Sequence, residues 1–140
     1  MSGFTVTHNV FNRTARAFLL GGGRDNVFDA NTIQHTSGPY EAVQFDNRGM
    51  TWGSASCTPP GGILIRLLGR VPYNTSAVWI GAFPALAVIL ANEPCVPRNN
   101  NITNNTICGT VPGTPWIDVD AGAAASWGSL ISGNVNVTSC

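Results

Sequence analysis

Four cysteines, two histidines and a scattering of tryptophans beside Asn, Asp and Gly carry whatever chemistry this chain can perform. Cys57, Cys95, Cys108 and Cys140 lack the close Cys-x-x-Cys spacing of a zinc or redox centre, which leaves disulfide bonding as their natural use. Cys95 and Cys108 bracket Val-Pro-Arg-Asn-Asn-Asn-Ile-Thr-Asn-Asn-Thr-Ile. That segment is too polar to order itself by burial, so a disulfide across its base is expected, contributing about 3 kcal/mol by loop entropy. Cys140 then closes onto Cys57 or reaches a neighbouring subunit, and the even count favours the internal pair. Four buried thiols in a reducing compartment are the alternative, since free cysteine packs as a small hydrophobe.

His8 and His35 are the only histidines, and no Gly-x-Ser-x-Gly elbow supplies a nucleophile for them; Gly53-Ser-Ala-Ser-Cys57 does not match it. Asp118 and Asp120 alternate along one strand face. A calcium ion gathers about six to eight oxygens, and nothing nearby completes that set. Gly21-Gly22-Gly23 is followed by neither Lys-Ser/Thr nor a helical pattern, so it reads as a turn rather than a phosphate loop. No catalytic centre, metal or cofactor is expected, and the chain does not read as an enzyme. Trp52, Trp116 and Trp127 lie beside Gly or Pro near turns, where an indole is half exposed. With Asp118 and Asp120 they form the candidate set for a shallow sugar site; the competing use of the rings is to cap the core.

Composition narrows the classes further. Only 10% of residues are charged and 44% are hydrophobic, against a usual charged share of about 25%. All seven basic residues are arginine and the formal net charge is zero. There is no basic stripe for nucleic acid and no electrostatic case for a membrane held by basic residues. A chain with so little self-repulsion suits close packing against other proteins, or hydrogen bonding to neutral sugars. Asn12, Asn74, Asn101, Asn104 and Asn136 each open an Asn-x-Ser/Thr sequon, sites for N-glycans if the chain passes through a eukaryotic secretory route. No signal peptide pattern is visible at Met1–His8.

The elements that must position these residues are short. The most apolar run, 77–91, is too short to span a bilayer, which takes about 20 residues. With Gly81 and Pro84 inside it, it reads as two buried strands, Ala77 to Ala82 and Ala85 to Ala91, around which the rest is organised. Further strands are expected at Phe4–Phe11, Thr14–Leu20, Asn31–His35, Tyr40–Phe45, Met50–Cys57, Ile63–Leu68, Trp116–Asp120, Trp127–Ser132 and Asn134–Ser139, with Gly- and Pro-rich turns between them. No internal repeat aligns and no linker divides the chain. These features predict one all-β domain over 1–140, a β-sandwich or jelly-roll-like barrel of about 8–10 short strands with little helix. Residues 1–10 form an extended strand or arm, and 95–108 an Asn-rich stapled loop.

The expected function is structural: a self-assembling subunit of an extracellular filament, coat, appendage or crystalline body, held by disulfides and β-edge packing. Its partner is itself, and its place is outside the cell, at the cell surface, or in an oxidising or storage compartment. The alternative is a small lectin; a small secreted effector or toxin is a third, weaker reading. No nucleic acid partner and no membrane span are expected.

Overall fold

The computed structural model describes residues 2–35, 40–46, 55, 62–91, 96–110, 113, 115–119 and 128–140. The chain divides into two compact units, one of 1–47 with 97–140, the other of 48–96.

The first unit contains eleven short strands among its described residues. They are β1 (Thr5–Thr7), β2 (Val10–Thr14), β3 (Phe18–Leu20), β4 (Val27–Asp29), β5 (Thr32–His35), β6 (Val43–Phe45), β7 (Asn101–Thr103), β8 (Thr106–Cys108), β9 (Ile117–Val119), β10 (Leu130–Ser132) and β11 (Val135–Val137). They form three sheets ordered β1-β4-β7-β10, β11-β8-β5-β2 and β3-β6-β9. Every pairing is parallel and in register, with one irregularity between Asn12 and Thr14. Successive strands therefore enter successive sheets, and every third strand returns to lie beside its predecessor. The result is a coil of stacked turns, the arrangement of β-helices and other solenoids.

This overturns the expected antiparallel sandwich or jelly-roll-like barrel. All-parallel sheets are the pairing of α/β chains rather than of antiparallel sandwiches, because parallel neighbours need a long crossover. Here the crossovers run through strands of the other two sheets. Helix is confined, among the described residues, to the excursion between β6 and β7.

The coil is filled by columns of apolar side chains set by the register. Val6, Phe28, Ile102 and Ile131 occupy equivalent positions in the first sheet. Phe11, Ile33 and Ile107 do so in the second, where Asn136 ends the column. Leu20, Phe28, Ile33, Ala42, Val43, Phe45, Ile102 and Ile107 form one buried cluster, with Phe18, Trp116, Ile117 and Val119 packed against it. Phe28, fully buried, stacks on Phe18 at 4.4 Å between ring centroids and meets Phe11 at 5.6 Å. Stacking of coils thus does what two facing sheets would do in a sandwich.

Of the strand or arm expected at 1–10, the described residues carry a strand, β1, which opens the coil and pairs with β4. One local expectation falls. The stretch 95–108 is not a stapled loop: from Asn101 onward it is β7 and β8, with Ile102 and Ile107 fully buried. Cys108 bonds to Cys140, with Cα atoms 5.6 Å apart. Neither the Cys95–Cys108 nor the Cys57–Cys140 pairing, nor a Cys140 bond to another subunit, is compatible with it. Cys57 and Cys95 lie outside the described residues.

The second unit carries α1 (Ile63–Leu68), α2 (Ala77–Ala82) and α3 (Pro84–Ala87), then a 3-10 turn at Ile89–Ala91. The strands expected at Ile63–Leu68 and across 77–91 are therefore helical. Ala, Leu and Ile fill these segments, and Pro84 takes the first position of α3, where its missing N–H costs no bond. Nor is 77–91 a core: none of the residues of α2, α3 or the 3-10 turn is buried.

Candidate functional site

Each turn of the coil passes two corners built from the same pair of residues. The first corner places Gly3, Asp25, Asn99 and Gly128 in the left-handed region, with φ of 71°, 58°, 52° and 69°. Phe4, Asn26, Asn100 and Ser129 follow them. The second places His8, Ala30, Asn104 and Gly133 there, at 57°, 52°, 53° and 66°. It is followed every time by asparagine: Asn9, Asn31, Asn105 and Asn134. A positive φ turns the strand sharply into the next sheet, and it leaves a backbone N–H inside the bend that needs an acceptor.

The asparagines supply it. At the second corner Asn9, Asn31 and Asn105 each donate both backbone N–H and Nδ2 to the Oδ1 of the next asparagine: Asn9 to Asn31 at 3.0 and 3.2 Å, Asn31 to Asn105 at 2.9 and 3.0 Å, Asn105 to Asn134 at 3.0 and 2.8 Å. The remaining amide hydrogens serve backbone carbonyls. Asn31 Nδ2 donates to Val6 O, Asn105 Nδ2 to Phe28 O and Asn134 Nδ2 to Ile102 O. The first corner repeats the device more briefly. Phe4 N–H donates to Asn26 Oδ1, Asn26 donates twice to Asn100 Oδ1, and Asn100 N–H donates to Ser129 Oγ. Asn26, Asn31, Asn100 and Asn105 are buried, and the side-chain oxygen and nitrogen of each are hydrogen-bonded, which offsets the cost of sinking an amide.

This ladder has a direction, and its two ends are complementary. Interior asparagines accept at Oδ1 from the coil before and donate from N–H to the coil after. Among the described residues no donor reaches Asn9 Oδ1, and no acceptor meets the Asn134 N–H. The backbone shows the same pattern. Thr32, Thr106 and Val135 donate to Asn9 O, Asn31 O and Asn105 O, while His8, Ala30 and Asn104 donate to Asp29 O, Thr103 O and Ser132 O. By that register the Val10 N–H faces out at one end beside Thr7 O, which accepts from Asn9 Nδ2 at 2.9 Å and keeps a second lone pair, and Asn134 O and the Gly133 N–H face out at the other.

Outside the corner runs a polar row in which Asp29 accepts from Thr103 Oγ1 at 2.6 Å and from Asn104 Nδ2 at 2.9 Å. These two bonds, with a smaller contribution from the His8 charge, outweigh partial desolvation and hold the Asp29 carboxyl below its ordinary value. His8 stands at an exposed corner, its backbone N–H donating to Asp29 O. His35 is buried, and its Nε2–H donates to Ala15 O at 2.7 Å. Asp118 sits in β9 between Ile117 and Val119. Among the described residues, no three His, Cys, Asp or Glu side chains gather where a metal could bind.

Of the proposed sugar contacts, Trp116 and Asp118 are described, whereas Trp52, Trp127 and Asp120 lie outside the described residues. Trp116 is half-buried against the core and lines a cavity of about 390 Å³ with Ile117, Val119, Ile131, Ser132 and Asn134. The sequons separate by role. Asn12 and Asn74 are exposed; Asn101 is half-buried in β7; Asn104 is tied to Asp29; and Asn136 exchanges hydrogen bonds with Thr110.

Sequence reading missed the ladder. Its signal is an apolar residue, then Thr, Asp or Ser, then a turning residue, then Asn: Val6-Thr7-His8-Asn9, Phe28-Asp29-Ala30-Asn31, Ile102-Thr103-Asn104-Asn105 and Ile131-Ser132-Gly133-Asn134. Set against protein-family models, curated proteins and solved structures, the chain gives no match.

Proposed function

We propose that this protein is a structural subunit that self-assembles by stacking its coils head to tail into a filament. The single observation that carries the reading is the directional asparagine ladder with unmatched, complementary ends. Continuing the register across two copies sets Asn134 N–H against Asn9 Oδ1 of the next, Val10 N–H against Asn134 O, and Gly133 N–H against Thr7 O. Such a contact is heterologous and does not close on itself, so it extends into a fibre. Exposed strand edges are templates for this kind of pairing. The Cys108–Cys140 bond fits an oxidising setting outside the cell. Since it lies within one chain, assembly does not depend on it.

The test is particle size by sedimentation velocity and negative-stain imaging, wild type against Val10→Pro. Val10 is exposed on the edge strand, and by the register its N–H points away from β5, so proline removes a donor that the pairing among the described residues does not use. Unbranched filaments from the wild type, unaffected by reductant, with folded monomers from Val10→Pro, are expected. A wild-type protein that stays monomeric at high concentration contradicts the reading.

One observation favours a second reading, the lectin: polar Ser132 and Asn134 line the same cavity as Trp116. Quenching of tryptophan fluorescence by a specific sugar, lost in Trp116→Ala, would support it.

A further inference from the structure

The second unit reverses the charge and polarity of the rest of the chain. Within 48–96 stand Arg48, Arg66 and Arg70 against a single acid, Glu93; the rest of the chain holds four arginines against six acids. From Gly62 to Ala91 there is no Asp or Glu at all. From Ala77 to Ala91 there is no polar side chain of any kind: Ala, Val, Trp, Ile, Gly, Phe, Pro and Leu account for every position. Yet these side chains face outward. Val78 is 78% exposed, Phe83 52% and Leu67 57%, and Ile63, Ile80, Val88 and Leu90 are exposed too.

A helix that is apolar all round belongs in a protein core or in lipid, not in water. Val78 and Ile80, two residues apart on α2, point to opposite sides of it, so one flat protein partner covers only part of the helix. None of the described helices is long enough to cross a bilayer. Short, uncharged helices with an aromatic pair, here Trp79 and Phe83 with centroids 5.5 Å apart, match the acyl–headgroup boundary, where indole and phenyl rings settle. Arg66 and Arg70, at the start of the same segment, complete the match, since cations beside an apolar segment hold anionic headgroups. Whole-chain neutrality concealed this separation of charge.

We propose that residues 62–91 are a membrane-surface anchor, lying in the interface of an anionic lipid bilayer with the 77–91 helices immersed and Arg66 and Arg70 at the phosphates. Because it rests on the second unit alone, it stands or falls separately from the stacking of the coil.

The test is cosedimentation of the full chain, in the Val10→Pro background, with vesicles of phosphatidylcholine alone and of phosphatidylcholine mixed with phosphatidylglycerol. Binding to the mixed vesicles is expected to be stronger by roughly tenfold or more, with tryptophan emission shifted to shorter wavelength. Arg66→Gln with Arg70→Gln is expected to abolish that preference. Val78→Asn with Phe83→Asn is expected to weaken binding to both vesicles by about tenfold or more while the circular dichroism is unchanged. No partitioning to either vesicle overturns the proposal, as does partitioning that Val78→Asn with Phe83→Asn leaves intact. So does a dimer formed through this segment that the same pair of substitutions dissolves while vesicles go unbound.

Discussion

Residues 99–108 and 77–91 exchange the roles their compositions suggest. The first holds five asparagines and lies in the middle of the coil, with Asn100 and Asn105 buried. The second has no polar side chain and buries none of its helical residues. Burial in this protein is decided by hydrogen-bond partners and register rather than by hydropathy alone. An amide whose donors and acceptor all meet their counterparts in adjacent coils loses little on leaving water. An apolar run without a neighbouring column to join has nowhere within its own helices to hide.

The sharpest way to break that contrast is to truncate one residue from each region. Asn105 gives and receives every bond its amide can make, so Asn105→Ala strands the Asn31 backbone N–H, an Asn31 Nδ2 hydrogen and Phe28 O in a buried corner. A loss of about 3 kcal/mol or more in urea unfolding is expected. Val78→Asn in the exposed run is expected to stay within about 0.5 kcal/mol of wild type. If the two costs were similar, or reversed, the contrast would fail.

A smaller effect sharpens the geometry of the corners. Ala30 holds a φ of 52° where its neighbours in the column are His8, Asn104 and Gly133. A side chain without a polar tip is strained there, so Ala30→Gly is expected to raise stability by about 1 kcal/mol. The reverse change, Gly133→Ala, brings a Cβ onto Asn104 Oδ1 as well as into a disfavoured φ, and is expected to destabilise. Thermal melts of the two variants moving in opposite directions would support the corner assignment.

The least effect is expected from pH. Asp29 has its folded-state pKa depressed below 3.8 by the Thr103 and Asn104 bonds. Its contribution is therefore present above the ordinary carboxylate range and lost as pH falls through the lower folded value. Asp29→Asn is expected to flatten that part of the acid unfolding profile while leaving neutral behaviour nearly unchanged. An unaltered profile would remove Asp29 from the corner's energetics.

Much of the local structure was legible. The runs at Asn31–His35, Tyr40–Phe45, Trp116–Asp120, Trp127–Ser132 and Asn134–Ser139 each contain a strand, because alternation and turn residues mark extended chain wherever it pairs. Pairing was not legible, since alternation is the same in a sandwich and in a coil. The repeat that distinguishes them was hidden by its spacing. Equivalent second-corner asparagines are 22, 74 and 29 residues apart, and the middle interval contains the 49 residues 48–96. The turning position disguised it further by holding His, Ala, Asn and Gly in turn. The helices of 77–91 are indistinguishable from buried strands in the sequence because apolar runs of that length carry no period, and Pro84, a breaker inside a helix, is equally suited to the first turn it occupies.

Backbone hydrogen exchange, followed by mass spectrometry on Val10→Pro without lipid, tests the central claim most directly. With stacking and membrane contact removed, amides of 100–108 should exchange only on global unfolding, and those of 77–91 orders of magnitude faster through local opening. Slow exchange in 77–91 together with rapid exchange in 100–108 would restore the apolar run as the core and contradict the asparagine-cornered coil.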